Sequence, residues 1–132
     1  MKIRETSIKT FQASIFIGLE NGYTQKRIFE DEVFETIKKF QLVNSEERNI
    51  FLSASISDCN IVLNNQNEPH LKIDFINYPK FPLEESVIKE NVISLSKELL
   101  ITHHQNRMVI IFPDETIMLE QSDDIDPRIA IQ

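Results

Sequence analysis

A chain of 132 residues with 41% hydrophobic residues, nine of them Phe, can bury one core and little more, so a single domain is expected. Six of the seven net negative charges fall in residues 114–126, as Asp114, Glu115, Glu120, Asp123, Asp124 and Asp126, while Lys and Arg are scattered; a basic stripe for gripping nucleic acid is thereby excluded. There is no run of 18 apolar residues to cross a membrane, the opening Met-Lys-Ile-Arg-Glu-Thr-Ser is polar, and Cys59 has no partner for a disulfide, so a cytoplasmic protein is expected.

Residues 1–9 read as a polar lead-in. In residues 10–23, Phe11, Ala13, Ile15 and Ile17 alternate with Gln12, Ser14, Phe16 and Gly18, the period of two that marks a strand. Both glycines of the chain, Gly18 and Gly22, stand where this strand ends, which makes that turn the first candidate for a site. Residues 25–40 follow as a helix with Phe29, Val33, Phe34, Ile37 and Phe40 on one face. Its acidic residues Glu30, Asp31, Glu32 and Glu35 come first and Lys38 and Lys39 last, the order that suits the helix dipole.

Residues 44–49 read as a polar link. The next strand, residues 50–63, alternates Leu52, Ala54 and Ile56 with Ser53, Ser55 and Ser57, and Asp58 to Asn60 suggests a bulge or bend. A turn at residues 64–67 closes a hairpin onto a strand over residues 70–76, with Leu71, Ile73 and Phe75 on one face. Pro79 and Pro82 make residues 77–82 a rigid connector, because proline lacks a backbone donor and restricts its predecessor. Residues 83–101 form the second helix through Val87, Ile88, Val92, Leu95, Leu99 and Leu100. Residues 107–112 and 116–120 are strands separated by Pro113-Asp114-Glu115. Residues 1–120 are expected to form one α+β domain, and residues 121–132 an acidic C-terminal tail or arm.

The order strand, helix, strand, strand, helix, strand, with a short strand appended, predicts a ferredoxin-like split βαβ fold: an antiparallel sheet of four to five strands with two helices on one face. Phe16, Ile76, Val109 and Ile111 then point to the other face. Burying each is worth about 1.5–3 kcal/mol, so a homo-oligomer, or the C-terminal arm, is expected to cover them. Ile-Gly-Leu after the first strand, Glu68-Pro69 before the third and Gln105-x-x-Met-Val opening the fourth resemble landmarks of small uncharacterised bacterial or phage proteins of ferredoxin-like, dimeric αβ-barrel-like type. That resemblance implies topology only, since such folds host unrelated functions.

His103 and His104 are adjacent and diverge on a helix or a strand, so they serve one metal ion poorly; His70, preceded by Glu68, would have to supply a third ligand, and no metal or other cofactor is expected. Cys59 beside Asp58 lacks the cation that would activate a thiol. No phosphate-binding or nucleophile motif occurs. Three polar clusters remain at loop ends: Tyr23, Gln25, Lys26 and Arg27; Asn77 and Tyr78; and His103, His104, Gln105, Asn106 and Arg107. If the first and third strands run in the same direction, these clusters share one edge and could hold a planar or anionic small ligand; otherwise they are ordinary solvated loops.

The expectation from these residues is a non-catalytic oligomeric protein that captures a small anionic or nucleotide-like ligand at that edge, with the lack of a catalytic motif leaning against an enzyme. Two alternatives stand beside it. The acidic residues Asp114, Glu115, Glu120, Asp123, Asp124 and Asp126 could form the surface of a phage or mobile-element inhibitor that blocks a nucleic-acid enzyme or defence protein, or they could be a solvated tail. A small enzyme could use His103 or His104 as general base and Arg107 as anion anchor.

Overall fold

The computed structural model describes residues 1–22 and 24–121. Seven elements follow one another: β1 (Gln12–Gly18), α1 (Glu30–Arg48), β2 (Ala54–Leu63), β3 (Gln66–Ile76), α2 (Glu85–Thr102), β4 (Arg107–Ile111) and β5 (Thr116–Glu120). The strands form one sheet in the order β2-β3-β1-β4-β5, every neighbouring pair antiparallel. This is the ferredoxin-like split βαβ arrangement, with β5 added at the edge.

The period-two pattern sorts the two faces. Ala13, Ile15 and Ile17 of β1, Leu71, Ile73 and Phe75 of β3, and Met108 and Ile110 of β4 are buried on the face that the helices cover. Val33 and Ile37 of α1 and Ile88, Val92, Leu95 and Leu99 of α2 pack down onto them, each fully buried apolar side chain contributing about 1.5–3 kcal/mol. The residues between them point to the opposite face, which is open among the described residues; the C-terminal arm expected to cover it lies outside them from residue 122 on. There Phe16 and Val109 are half-buried, while Ile76, Ile111 and Met118 are 45%, 43% and 54% exposed.

Several local expectations are corrected. Residues 44–48 are the last turn of α1 rather than a link, because the helix closes only at Asn49, whose left-handed backbone (φ 54°) lets its N–H return to the Asn44 carbonyl. Asn44 is itself buried, its carbonyl also accepting from the Ile50 N–H. Asp58 to Asn60 make no bulge: the β2–β3 register runs unbroken from Ala54↔Phe75 to Leu63↔Gln66. The hairpin turn is therefore only Asn64-Asn65, with Asn64 left-handed (φ 55°) as such a tight turn requires. β3 starts before His70 and includes Pro69, which costs no bond to β2. A strand residue's N–H and C=O point to the same side, and the Pro69 carbonyl faces away from β2 to accept from the Leu19 N–H at 2.9 Å.

Because β1 ends at His70 (Gly18↔His70), residues 66–69 of β3 and 60–63 of β2 project past the sheet as an overhanging ribbon. That overhang gives the cavity described next one of its walls.

Candidate functional site

Antiparallel pairing brings the end of β1, the start of β3, the start of β4 and the end of β5 to one edge. The first and third strands thus run in opposite directions, contrary to the shared direction on which the convergence of three loop clusters depended. Asn77 and Tyr78 lie at the far edge. The Asn77 N–H donates to the Phe11 carbonyl, and its side chain clasps Leu83 by donating to the carbonyl and accepting from the N–H, each at 3.0 Å. Tyr78 is exposed and stacks near Phe81, ring centroids 6.1 Å apart. Those two residues belong to the connector before α2 and are removed from the candidate site.

At the near edge the open face carries a cavity of about 560 Å³. Phe16, His70, Val109 and Met118 form its base, Ile61, Gln66, Glu68 and Pro69 the wall from the overhanging ribbon, and Gly18, Leu19, Glu20 and Gly22 with Gln105 to Arg107 the opposite wall. That volume suits a nucleoside-sized molecule, and the mixture of apolar base and few polar groups is typical of small-ligand sites. A broader hollow of about 780 Å³ beside Lys9, Arg48 and the start of α2 is shallow and spanned by the exposed Lys9–Glu85 ion pair, so it offers no comparable enclosure.

Gln105 holds the second wall together. It is only 5% exposed, and its Nε2 donates to the Glu20 and His103 carbonyls, both at 3.1 Å, while its Oε1 accepts from the Gly18 N–H at 3.1 Å. Carbonyls only accept, so the amide can face just one way. His104 turns the chain with a left-handed backbone (φ 50°), and its carbonyl accepts from the Gly22 N–H at 2.8 Å. Asn106 donates to the Gly22 carbonyl at 3.0 Å. Gln121 seals the edge: its N–H bonds the Asn106 carbonyl at 3.0 Å and its side chain donates to the Gln105 carbonyl at 2.8 Å. Gln121, the last described residue, is thus bonded to the start of β4.

Neither glycine is needed for a left-handed backbone; both are needed for close approach. A Cβ on Gly22 would stand 2.6 Å from Asn106 Oδ1 and 2.7 Å from its Cγ, and one on Gly18 would stand 3.1 Å from Gln105 Oε1.

The wall residues carry two carboxylates, Glu20 and Glu68, against one cation, Arg107, which itself faces Glu120 at 3.6 Å. Both partners of that pair are about half exposed, so it is weak. Carboxylates thus outnumber cations among the lining residues.

Of the residues singled out from the sequence, the structure brings Gln105, Asn106 and Arg107 to the cavity. Gln25, Lys26 and Arg27 are exposed on the loop behind its rim, Gln25 left-handed (φ 59°) and Arg27 paired with Glu20 by an isolated antiparallel backbone bridge. Tyr23 lies outside the described residues. His104 contributes its backbone and its side chain is exposed. His103 is buried, 6% exposed, with its Nε2 2.8 Å from Thr36 Oγ1 of α1. Burial pushes its pKa below the ordinary 6.5 and His104 adds to the effect, while Glu32 opposes it. Packed under the helices, it cannot act as general base at the open face, which corrects that assignment.

Of the acidic residues, Asp114 and Glu115 pair with Lys89 at 3.4 and 3.3 Å, and Glu120 with Arg107, so these three are engaged with the chain's own cations. Asp123, Asp124 and Asp126 lie outside the described residues. Phe16, Glu68 and His70 were not assigned to a site from sequence. The signal that finds them is the antiparallel register, which sets the start of β3 against the end of β1.

No family model matches the chain, and no curated relative matches it by sequence. Among solved structures, the fold is similar to that of a phage SAM lyase in its apo state (22% identity, TM-score 0.64), over 88% of this chain and 92% of that one. It is likewise similar to a phage SAM lyase in complex with S-methyl-5′-thioadenosine (19% identity, TM-score 0.61), over 92% of this chain and 97% of that one. The likeness establishes the fold and bears out a kinship in topology with small phage proteins. Both neighbours are enzymes, and one holds a nucleoside thioether, which overturns the expectation of a non-catalytic binding protein and the leaning against an enzyme.

Proposed function

We propose that this chain is a lyase acting on S-adenosylmethionine (SAM) or a close sulfonium relative, releasing S-methyl-5′-thioadenosine (MTA). One observation carries the reading: a nucleoside-sized cavity with an excess of carboxylates lies on the open face of a fold shared, over nine tenths of the chain, with SAM lyase.

The chemistry needs little apparatus. The bond between the sulfonium sulfur and the γ-carbon of the amino-acid arm breaks, and its electron pair goes to sulfur, leaving neutral MTA. The arm's own carboxylate supplies the new bond to that carbon and closes a lactone, so no water enters and no proton need move. A cation and an anion cancel in this step, and a poorly hydrated site therefore favours its transition state over solvated reactant. In this reading Phe16, Ile61, Pro69, Val109 and Met118 exclude water, Glu20 and Glu68 attract the sulfonium, and Arg107 orients the substrate carboxylate. A general base is not required, which removes the need for the buried His103.

The test is direct. Purified protein incubated with SAM should release MTA faster than buffer alone, with MTA and lactone in equal amounts by mass spectrometry, and Glu68→Gln should slow it. MTA forming only at the spontaneous rate would sink the proposal. The reading includes a second copy of the chain covering Ile76, Ile111 and Met118 on the face that carries the cavity; light scattering that finds only monomer removes that part alone.

A further inference from the structure

At Gly18, where the wall of the cavity meets its base, the lining is notched. A Cβ built there would lie 3.1 Å from Gln105 Oε1 and 3.6 Å from His70 Nε2, so the hydrogen that replaces it leaves a small space flanked by those two atoms. Gln105 Oε1 is held as an acceptor by the carbonyls that its amide nitrogen serves, and His70 Nε2 is an acceptor in the tautomer with its proton on Nδ1. Gln105 cannot turn its amide over, because its Nε2 is held by the Glu20 and His103 carbonyls and its Oε1 by the Gly18 N–H. His70 Nδ1 lies 3.2 Å from the Glu68 carbonyl, which only accepts, so Nδ1 carries a proton, and in the tautomer that this contact selects Nε2 presents a lone pair. The Gln105 oxygen still has a second lone pair once Gly18 is served.

Resting on the lyase reading, we infer that the notch over Gly18 is the subsite that reads a nitrogen donor bearing at least two hydrogens, one directed to Gln105 Oε1 and one to His70 Nε2. A carbonyl or ring-nitrogen acceptor in the same place would meet two lone pairs and no donor, so the notch selects against it as well as for an amine. A SAM-type substrate offers two such donors: the exocyclic amine of adenine and the ammonium of its amino-acid arm. Gly18 is required for space and not for backbone conformation, since its φ is not positive.

Binding of MTA and of S-methyl-5′-thioinosine, in which a carbonyl replaces the amine, is measured by calorimetry on the wild type, Gly18→Ala, His70→Leu and His70→Gln, alongside KM for SAM. If the notch takes the purine amine, the wild type prefers MTA about tenfold, as expected for leaving buried acceptors unpaired. His70→Leu then loses most of the preference, and His70→Gln, which keeps an oxygen near the Nε2 position, recovers part of it. If it takes the ammonium, MTA binds all variants alike while KM for SAM rises about tenfold in His70→Leu and Gly18→Ala. A preference and a KM both within twofold of wild type in His70→Leu, with MTA still bound, overturn the notch assignment and leave the lyase reading standing. A wild type that neither binds MTA nor cleaves SAM overturns both. Should Gly18→Ala misfold, as its melting curve would show, the two His70 variants decide alone.

Discussion

Gln105→Met is the perturbation that tests how the cavity wall is built. The side chains have similar length, so the change removes polarity with little change in volume. It deletes the bonds to the Gly18 N–H, the Glu20 carbonyl and the His103 carbonyl, each 3.1 Å long. A net intramolecular hydrogen bond is worth about 0.5–1.5 kcal/mol, and three that share one buried amide should together cost about 2–4 kcal/mol. For a domain of this size that corresponds to a fall in Tm of about 10 °C. Urea unfolding followed by circular dichroism measures the loss directly, and the slope with denaturant should not change, because the same surface is exposed on unfolding. A loss below about 0.5 kcal/mol would mean that water or backbone rearrangement replaces the amide, a scale set by the low end for one bond. The clamp described here would then be wrong.

Other outcomes follow from the same geometry. Gly22→Ala should displace the Asn106 amide, since its Cβ would come within 2.6–2.9 Å of all three terminal atoms of that side chain, and should destabilise the fold by about 1–3 kcal/mol as an overpacked site does; an unshifted denaturation midpoint counts against that packing. Glu30 is held above its ordinary carboxyl pKa first by a hydrogen bond with Asp58 and then by that residue's charge, with Arg27 opposing. The folded state therefore binds this proton more tightly, a stabilisation present in acid and lost as pH rises through the folded pKa. Asp58→Asn should return the Glu30 titration, read by carbon NMR, toward its usual value, and an unchanged curve refutes the pairing. His103 has the opposite sign: its folded pKa lies below the ordinary 6.5, so its contribution is full above that pH and is lost as pH falls through the folded value. Stability should drop between pH 7.5 and 5, and His103→Gln should flatten that slope in urea titrations; a wild-type slope that the substitution leaves intact assigns the effect elsewhere.

How much of this could be read without coordinates depends on whether the controlling contact is local. Alternation in Phe11, Ala13, Ile15 and Ile17 and in Leu71, Ile73 and Phe75 identifies two strands and their buried face, because side-chain direction is set residue by residue along a strand. The glycines mark the close approaches at Gly18 and Gly22, and Gln105 and Arg107 are visible as polar residues at a strand start. Strand direction is different in kind: it depends on which edge meets which across more than fifty residues of chain, and assuming the wrong sense for β3 moved Asn77 and Tyr78 to the wrong end while leaving Glu68 and His70 unassigned. The extension of α1 through Arg48 was hidden because that stretch is mostly exposed and polar, with stop chemistry that becomes plain only from the left-handed Asn49. His103 looked reactive because its burial against Thr36 comes from packing between two helices and leaves no mark on its neighbours in sequence.

The strand at the centre of the sheet is the first to be made. Gln12 must wait for Ile76, and Ser14 for Ile111, whereas β2 and β3 are joined by two residues and can zip as soon as both are synthesised. Closing such long loops is slow compared with hairpin formation, so the ribbon should acquire hydrogen-exchange protection early and β1 late. Because the Gly18 N–H is secured by Gln105 and Met118 lies in its base, the cavity has no finished form until β4 and β5 have left the ribosome.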